Sequence, residues 1–195
     1  MSPETRLDLR ATARDHVRAQ VADRALDLFA EHGFDATPVD EICASVGISP
    51  RTFFRYFPSK EDAVVGDPMP LGRDIAAALA ARPSDEDPWT SMRAGLQLLV
   101  DALPPERGLV LMRVIMSAPS LRARHLEKHL AWGALFEPII RERLVGADAT
   151  RRLRASVVVH GSLAALDAAF DEWVGQDGAS TFETVLDESF AALRG

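Results

Sequence analysis

The stretch VDEICASVGISPRTFFRYF, Val39 to Phe57, decides how this chain is read. Two short runs with helical spacing flank Gly47, which breaks the first; Ser49 followed by Pro50 is an N-terminal signature for the second, and Pro58 ends it. Ile42, Val46, Ile48 and Phe53 form an apolar seam, and Cys43 is the small residue on the first run where the second approaches. That pattern predicts two helices crossing steeply through a turn of three or four residues. With the seam inward, Arg51, Thr52, Arg55 and Tyr56 project from the outer face and N-terminal part of the second helix. There, a helix can meet base edges and phosphates. Lys60, with the backbone N–H groups around Ser59, can take a further phosphate.

Charge supports that reading locally and opposes it globally. The net charge is −7 with a pI near 5.2, and phosphate affinity comes mainly from Lys and Arg. From Ile42 to Lys60, however, there are three cations (Arg51, Arg55, Lys60) and no carboxylate.

Working outward, 3.6-residue periodicity recurs along all 195 residues, and no alternating run with hairpin dipeptides is present. The fold class predicted is all-α. Helices are expected from Arg14 to His32, from Thr37-Pro38 to Val46, from Ser49-Pro50 to Phe57 and after Ser59, with Met1–Ala13 a frayed arm. Gly66-Asp67-Pro68-Met69-Pro70 cannot continue a helix unbroken, which places a boundary there. This gives residues 1–66 as an N-terminal three-helix helix-turn-helix DNA-binding domain and 67–195 as a larger helical effector-binding and dimerisation domain. In the second domain helices are expected at about 71–81, 89–103, 106–117, 120–145, 149–174 and 180–193.

The string FDATPVDEICASVGISPRTFFRYFPSKEDAV resembles the DNA-binding domain of TetR-type transcriptional regulators, whose signature pairs G-[VI]-S with T-[LF]-[FY]-x-[YH]-F-x-S-K-E-x-[LA]. The resemblance covers roughly residues 14–66. It implies that Thr37, Thr52, Phe54, Tyr56 and Lys60 touch the DNA backbone and that Arg51 and Arg55 can reach bases. Many members carry a small residue where Arg51 stands, so Arg51 is either a specificity determinant or another phosphate contact. The resemblance further implies a homodimer on a palindromic operator, most often acting as a repressor released by a ligand.

A single helix-turn-helix covers half an operator, so a dimer surface is expected. The stripe Phe182, Val185, Leu186, Ser189, Phe190 and Leu193 and the small-residue face Gly161, Ala164, Ala165, Ala168 are candidates for a four-helix interface; the alternative is that both helices pack within one chain. Met112 and Met116, with His125, His129, Trp132 and Phe136 at helical spacing, combine soft apolar side chains with polar tips, as an effector pocket does and as ordinary core also does. The segment LRARHLEKHLAWGALFEPIIRERL is similar to a TetR subgroup with acyl-CoA-like effectors. By that resemblance Arg122, Arg124 and Lys128 meet the ligand's phosphates, unless they form a solvated basic face. The competing reading of the whole is a DNA-binding protein whose C-terminal domain is structural and binds no ligand.

His125 and His129 stand at i, i+4, a spacing that chelates metals, but no third ligand is evident in the sequence and no metal or other cofactor is expected. No phosphate loop, dinucleotide fingerprint or G-x-S-x-G elbow is present, so an enzyme is not expected. A single cysteine excludes an intramolecular disulfide and suits a reducing compartment. The first twenty residues carry too many charges for a signal peptide, and the apolar run Ala155–Phe170 is broken by His160, Ser162 and Asp167. The expectation is a cytoplasmic protein with no membrane partner.

Overall fold

Prolines at helix starts and glycines at helix ends set the element boundaries. The computed structural model describes the backbone of residues 3–193 and the side chains of residues 14–193. Among these there are eleven α-helices and no strand: α1 Pro3–His32, α2 Val39–Val46, α3 Pro50–Tyr56, α4 Asp62–Val65, α5 Met69–Ala81, α6 Pro88–Gly95, α7 Gln97–Ala102, α8 Pro105–Ser117, α9 Pro119–Glu142, α10 Asp148–Gly175 and α11 Phe182–Ala192. The all-α reading is correct. Two local expectations are not. Helix α1 begins at Pro3 rather than near Arg14, replacing the arm expected there; the side chains of residues 1–13 lie outside the described residues. The single helix expected over 89–103 is divided at Leu96.

The chain forms two compact units. The first comprises Met1–Gly66 and Arg113–Arg124, the second Asp67–Met112 and His125–Gly195. The sequence boundary at residue 66 therefore omits a segment of the first unit, because a return of the chain leaves no local mark. In the first unit α1 packs on α2 and α4, and α2 on α3. Val21, Ala25, Phe29, Phe34, Ile42, Phe53 and Phe57 fill its core, with the Phe29 and Phe34 rings 4.9 Å apart and Phe53 and Phe57 5.2 Å apart.

In the second unit α10 is the central helix, packed on α6 and α11. It is long and apolar enough to cross a membrane by length and composition, and half of the qualifying stretch is buried inside the protein. Its buried side chains, among them Val159, Leu163, Leu166, Phe170 and Trp173, are core of this unit. Phe182 of α11 stacks on Phe170 with centroids 4.3 Å apart, and Arg93 of α6 donates to Asp187 of α11 at 2.6 Å.

Polar clamps hold the α5–α6 loop. Arg143 donates to the carbonyls of Pro83 (2.5 Å), Arg82 (3.1 Å) and Leu79, while Arg82 and Ser91 donate to the Glu86 carboxylate. The hydrogen bonds from Arg82 and Ser91 outweigh burial and hold the Glu86 carboxyl down at about 2. A carboxylate held low stabilises the fold above its unfolded-chain value, and that contribution is lost as pH falls through the folded value. Glu86→Gln is therefore expected to lower stability at pH 7, and the gap from wild type to close between about pH 4.5 and about pH 2, as read by urea unfolding at stepped pH.

Candidate functional site

The turn between α2 and α3 is built locally. Gly47 closes α2 with φ of 70°, a left-handed conformation that costs a residue bearing Cβ about 1–2 kcal/mol, and its N–H donates to the Cys43 carbonyl. The Ile48 N–H reaches the same carbonyl at 3.1 Å. Ser49 caps α3 by accepting from the Thr52 N–H at 3.2 Å, with Pro50 in the first turn, and the Phe57 N–H closes the helix on Phe53. Phe53 and Phe57, four residues apart, are wholly buried, so the opposite face of α3 is turned outward.

That face carries Arg51, Phe54 and Arg55, all exposed, with Thr52 and Tyr56 half-buried at its edges. Phe54 is 51% exposed, an unusual position for a ring with no polar atom. The Arg55 guanidinium lies 5.4 Å from the centre of the Tyr56 ring, and the Thr52 hydroxyl is 3.0 Å from that of Ser49. Cys43 is buried behind the turn, where burial first and the nearby Asp40 second push its thiol up, away from the reactive thiolate.

Thr37 and Lys60, expected on the DNA backbone from outside α3, make their contacts here within the chain. Thr37 is fully buried: its hydroxyl donates to the carbonyls of Gly33 (2.8 Å) and Leu28 (3.4 Å), and α2 is preceded by Pro38 in extended conformation without a side-chain cap. The Lys60 ammonium donates to the carbonyls of Phe34 (2.8 Å) and Thr37 (3.2 Å) and sits 4.2 Å from the Phe34 ring centre. Both residues tie down the α1–α2 connection. A residue that the sequence reading passed over, Asp62, joins them. Its carboxylate accepts from Ser59 N–H (3.0 Å) and hydroxyl (2.9 Å) and from both Nε (3.0 Å) and Nη2 (2.7 Å) of Arg124. Burial pushes the Asp62 carboxyl up, but the hydrogen bonds and charge from Arg124, with those from Ser59, outweigh it and hold the group below its ordinary value. Arg124, expected on an effector's phosphates, is thus engaged within the first unit.

Of the expected effector residues, His125, His129, Trp132 and Phe136 come together as a row of rings whose neighbouring centroids are 4.6, 5.8 and 6.1 Å apart. Met116 falls in the first unit, while Met112, His125, His129, Trp132 and Phe136 are buried in the second. Trp132 donates through Nε1 to the Pro68 carbonyl at 2.8 Å and packs so closely on Gly72 that an added Cβ there would lie 2.5 Å from its ring. Trp132 and Phe136 are core. Periodicity alone cannot separate a close-packed ring from one lining a cavity. One cavity of this unit, about 460 Å³, lies elsewhere, lined by Val100, Leu103, Leu109, Trp173 and Phe182 among others. His125 and His129 do meet a third polar group, Asp167 of α10: His125 Nε2 is 3.1 Å from Oδ1 and His129 Nδ1 3.1 Å from Oδ2. The acid interrupting the apolar run 155–170 was its signal in the sequence. Burial lowers both imidazoles against the opposing pull of Asp167, His125 to about 4. The hydrogen bonds from the two rings hold Asp167 low despite burial, and burial brings Lys128, 4.8 Å from the Trp132 ring centre, down to about 8.

Most of the expected dimer stripe packs within the chain, with Leu193 at its end 38% exposed. Phe182, Leu186 and Phe190 are buried against their own chain, and Gly161 is covered by Trp89. The amphipathic pattern of α11 is satisfied by α10, because a stripe encodes burial but not by which partner. Ala164 and Ala168 remain exposed on α10, together with Leu153 (67% exposed) and Val157 (56%). These four lie within about 60° around the helix.

Comparison with known proteins agrees with this geometry. Residues 21–64 match the family described as bacterial regulatory proteins, tetR family, and residues 68–195 match the MftR C-terminal domain. The chain belongs to the TetR family of transcriptional regulators: DNA-binding helix-turn-helix proteins, not enzymes. It is 27% identical over 187 residues to MftR of Mycobacterium tuberculosis, a protein named for regulation of mycofactocin biosynthesis, with 95% of this chain and 92% of that one covered. It is 29% identical over 128 residues to the transcriptional regulator TcmR of Streptomyces glaucescens, covering 62% of this chain and 57% of that protein. The fold is similar to that of FadR from Bacillus subtilis, solved in complex with stearoyl-CoA, with a TM-score of 0.59, 19% identity and 89% and 96% of the two chains covered.

The clamp assigned to Lys60 has a measurable signature. Lys60→Ala is expected to destabilise the protein by ~1–3 kcal/mol in denaturant unfolding without DNA, since two backbone carbonyls lose a charged donor. A lysine serving only as a phosphate contact would leave that stability unchanged.

Proposed function

We propose that this chain is a ligand-responsive regulator, acting as a repressor, that binds a palindromic DNA operator as a homodimer. The observation that carries the reading is the outward face of α3. Arg51, Phe54 and Arg55 are exposed, with Thr52 and Tyr56 beside them, on a helix whose rotation is fixed by two buried phenylalanines. An arginine at such a position can bond a guanine edge with two donors, and Tyr56 and Thr52 can meet phosphate oxygens. Arg51 and Arg55 are the base-reading candidates; Thr37 and Lys60 act as positioning residues that hold the entry to α2.

Homodimerisation uses the outward face of α10. Leu153, Val157, Ala164 and Ala168 make an apolar, partly small-residue strip of the kind that pairs with its own copy about a two-fold axis. The effector is a small hydrophobic molecule. The apolar cavity between Leu103, Leu109, Trp173 and Phe182 is of a size that takes such a ligand. An acyl thioester is the first to try, as FadR of B. subtilis was solved with stearoyl-CoA. A ligand of this kind weakens operator binding by about 5- to 150-fold if it prefers the dimer arrangement that fits DNA less well.

In gel-shift titrations on an operator selected from random DNA, Arg55→Ala is expected to cost ~1–3 kcal/mol and to relax preference at one base position. Tyr56→Ala should weaken all sequences alike. Unchanged affinity in both variants would remove α3 from the interface. Val157→Asp is expected to shift the protein to monomer in light scattering, because a charge would be buried without a partner; a persistent dimer would place the interface off α10.

A further inference from the structure

The His125, His129 and Asp167 cluster is used by neither the DNA face nor the apolar cavity. His125 and His129 stand one turn apart on α9, each 5% exposed, and Asp167 faces them from α10 with its side chain 30% exposed. One donor atom from each of the three lies within 4.8 Å of the other two. Both imidazole-to-carboxylate distances are 3.1 Å. First-row divalent ions bind imidazole nitrogen and carboxylate oxygen at about 2.0–2.2 Å, which spaces neighbouring donors about 3.0–3.4 Å apart. The spacing found here suits donors that share one ion as well as it suits a hydrogen bond.

A second observation marks the cluster as short of partners. The remaining ring nitrogens, Nδ1 of His125 and Nε2 of His129, are buried with no hydrogen-bond partner. Buried polar atoms of native proteins are nearly always satisfied. Two half-satisfied imidazoles on one carboxylate are a costly way to pack a core, and an apolar pair would serve better. We infer that His125, His129 and Asp167 form a binding site for a divalent first-row transition metal, held by two imidazoles and a carboxylate and reached from the side of Asp167. The donor set is that of borderline ions such as Zn²⁺, Co²⁺, Ni²⁺ and Fe²⁺, and an all-oxygen ion such as Ca²⁺ is not suited to it. With three protein donors the ion retains open coordination positions, so a water or a small oxygen ligand completes it.

The test uses the full chain, freed of any affinity tag and of metal by dialysis against a chelator, then titrated with Co²⁺ and with Zn²⁺. The expected result is one ion per chain, an intense visible Co²⁺ spectrum of low coordination number, and X-ray absorption of the Zn²⁺ form that counts two imidazoles. His129→Gln and Asp167→Asn are expected to weaken binding about tenfold or more, while His160→Gln, a surface histidine 3.0 Å from Glu137, should leave it unchanged. The X-ray absorption measurement on wild-type protein stands even if a variant fails to fold. Absence of stoichiometric binding, fewer than two imidazoles around Zn²⁺, or binding retained by both cluster variants would overturn the assignment. None of these outcomes bears on operator binding, which rests on α3.

Discussion

The function of the first unit depends on how α3 is rotated about its own axis. Phe53 within α3 and Phe57 at its C-cap enter the core four residues apart, and a seven-residue helix anchored inside and at its end has little freedom to roll. Everything else follows from that phase: Arg51, Phe54 and Arg55 point away because the two rings point in. Loss of one ring would cost ~3–5 kcal/mol in packing and would also release the direction of every side chain opposite. The Ser49 cap and the left-handed Gly47 serve the same constraint by setting where the helix starts and the angle at which it leaves α2.

The features legible in the sequence are those made by neighbours along the chain. Gly47, Ser49-Pro50 and Phe53 act over a turn or less, so their spacing states their roles, and the all-α class follows from a period that repeats within each helix. The features that were not legible are made at a distance. Lys60 reaches back to carbonyls of Phe34 and Thr37, and Arg124 pairs with Asp62 across 62 positions of sequence. A lysine on a hydrophilic stretch looks the same whether it meets a phosphate or a buried carbonyl. The histidine pair was visible at i, i+4, but Asp167 could be joined to it only once α9 and α10 were seen side by side.

The apolar stripes show a related limit. Helix α11 turns its apolar face to α10 and also meets α6, so most of its stripe is used within the chain. Helix α10 is apolar on more than one side, so its periodicity is blurred and its exposed residues, Leu153 and Val157, carry no signature that separates them from core. Burial of a helix and its availability to a partner are different properties, and composition reports only their sum.

The pairing of Asp62 with Arg124 bears on how such regulators can be recombined. A chimaera that joins residues 1–66 to a foreign effector domain would carry a buried carboxylate away from the guanidinium that neutralises it, since Arg113–Arg124 belongs to the same compact unit but is encoded far downstream. Leaving such a charge without its partner is more damaging than never having had the pair. The reading head is therefore not a cassette with ends at its visible sequence boundary. Grafting it onto a new sensor requires either carrying the second segment along or replacing Asp62 with a neutral residue that still caps Ser59.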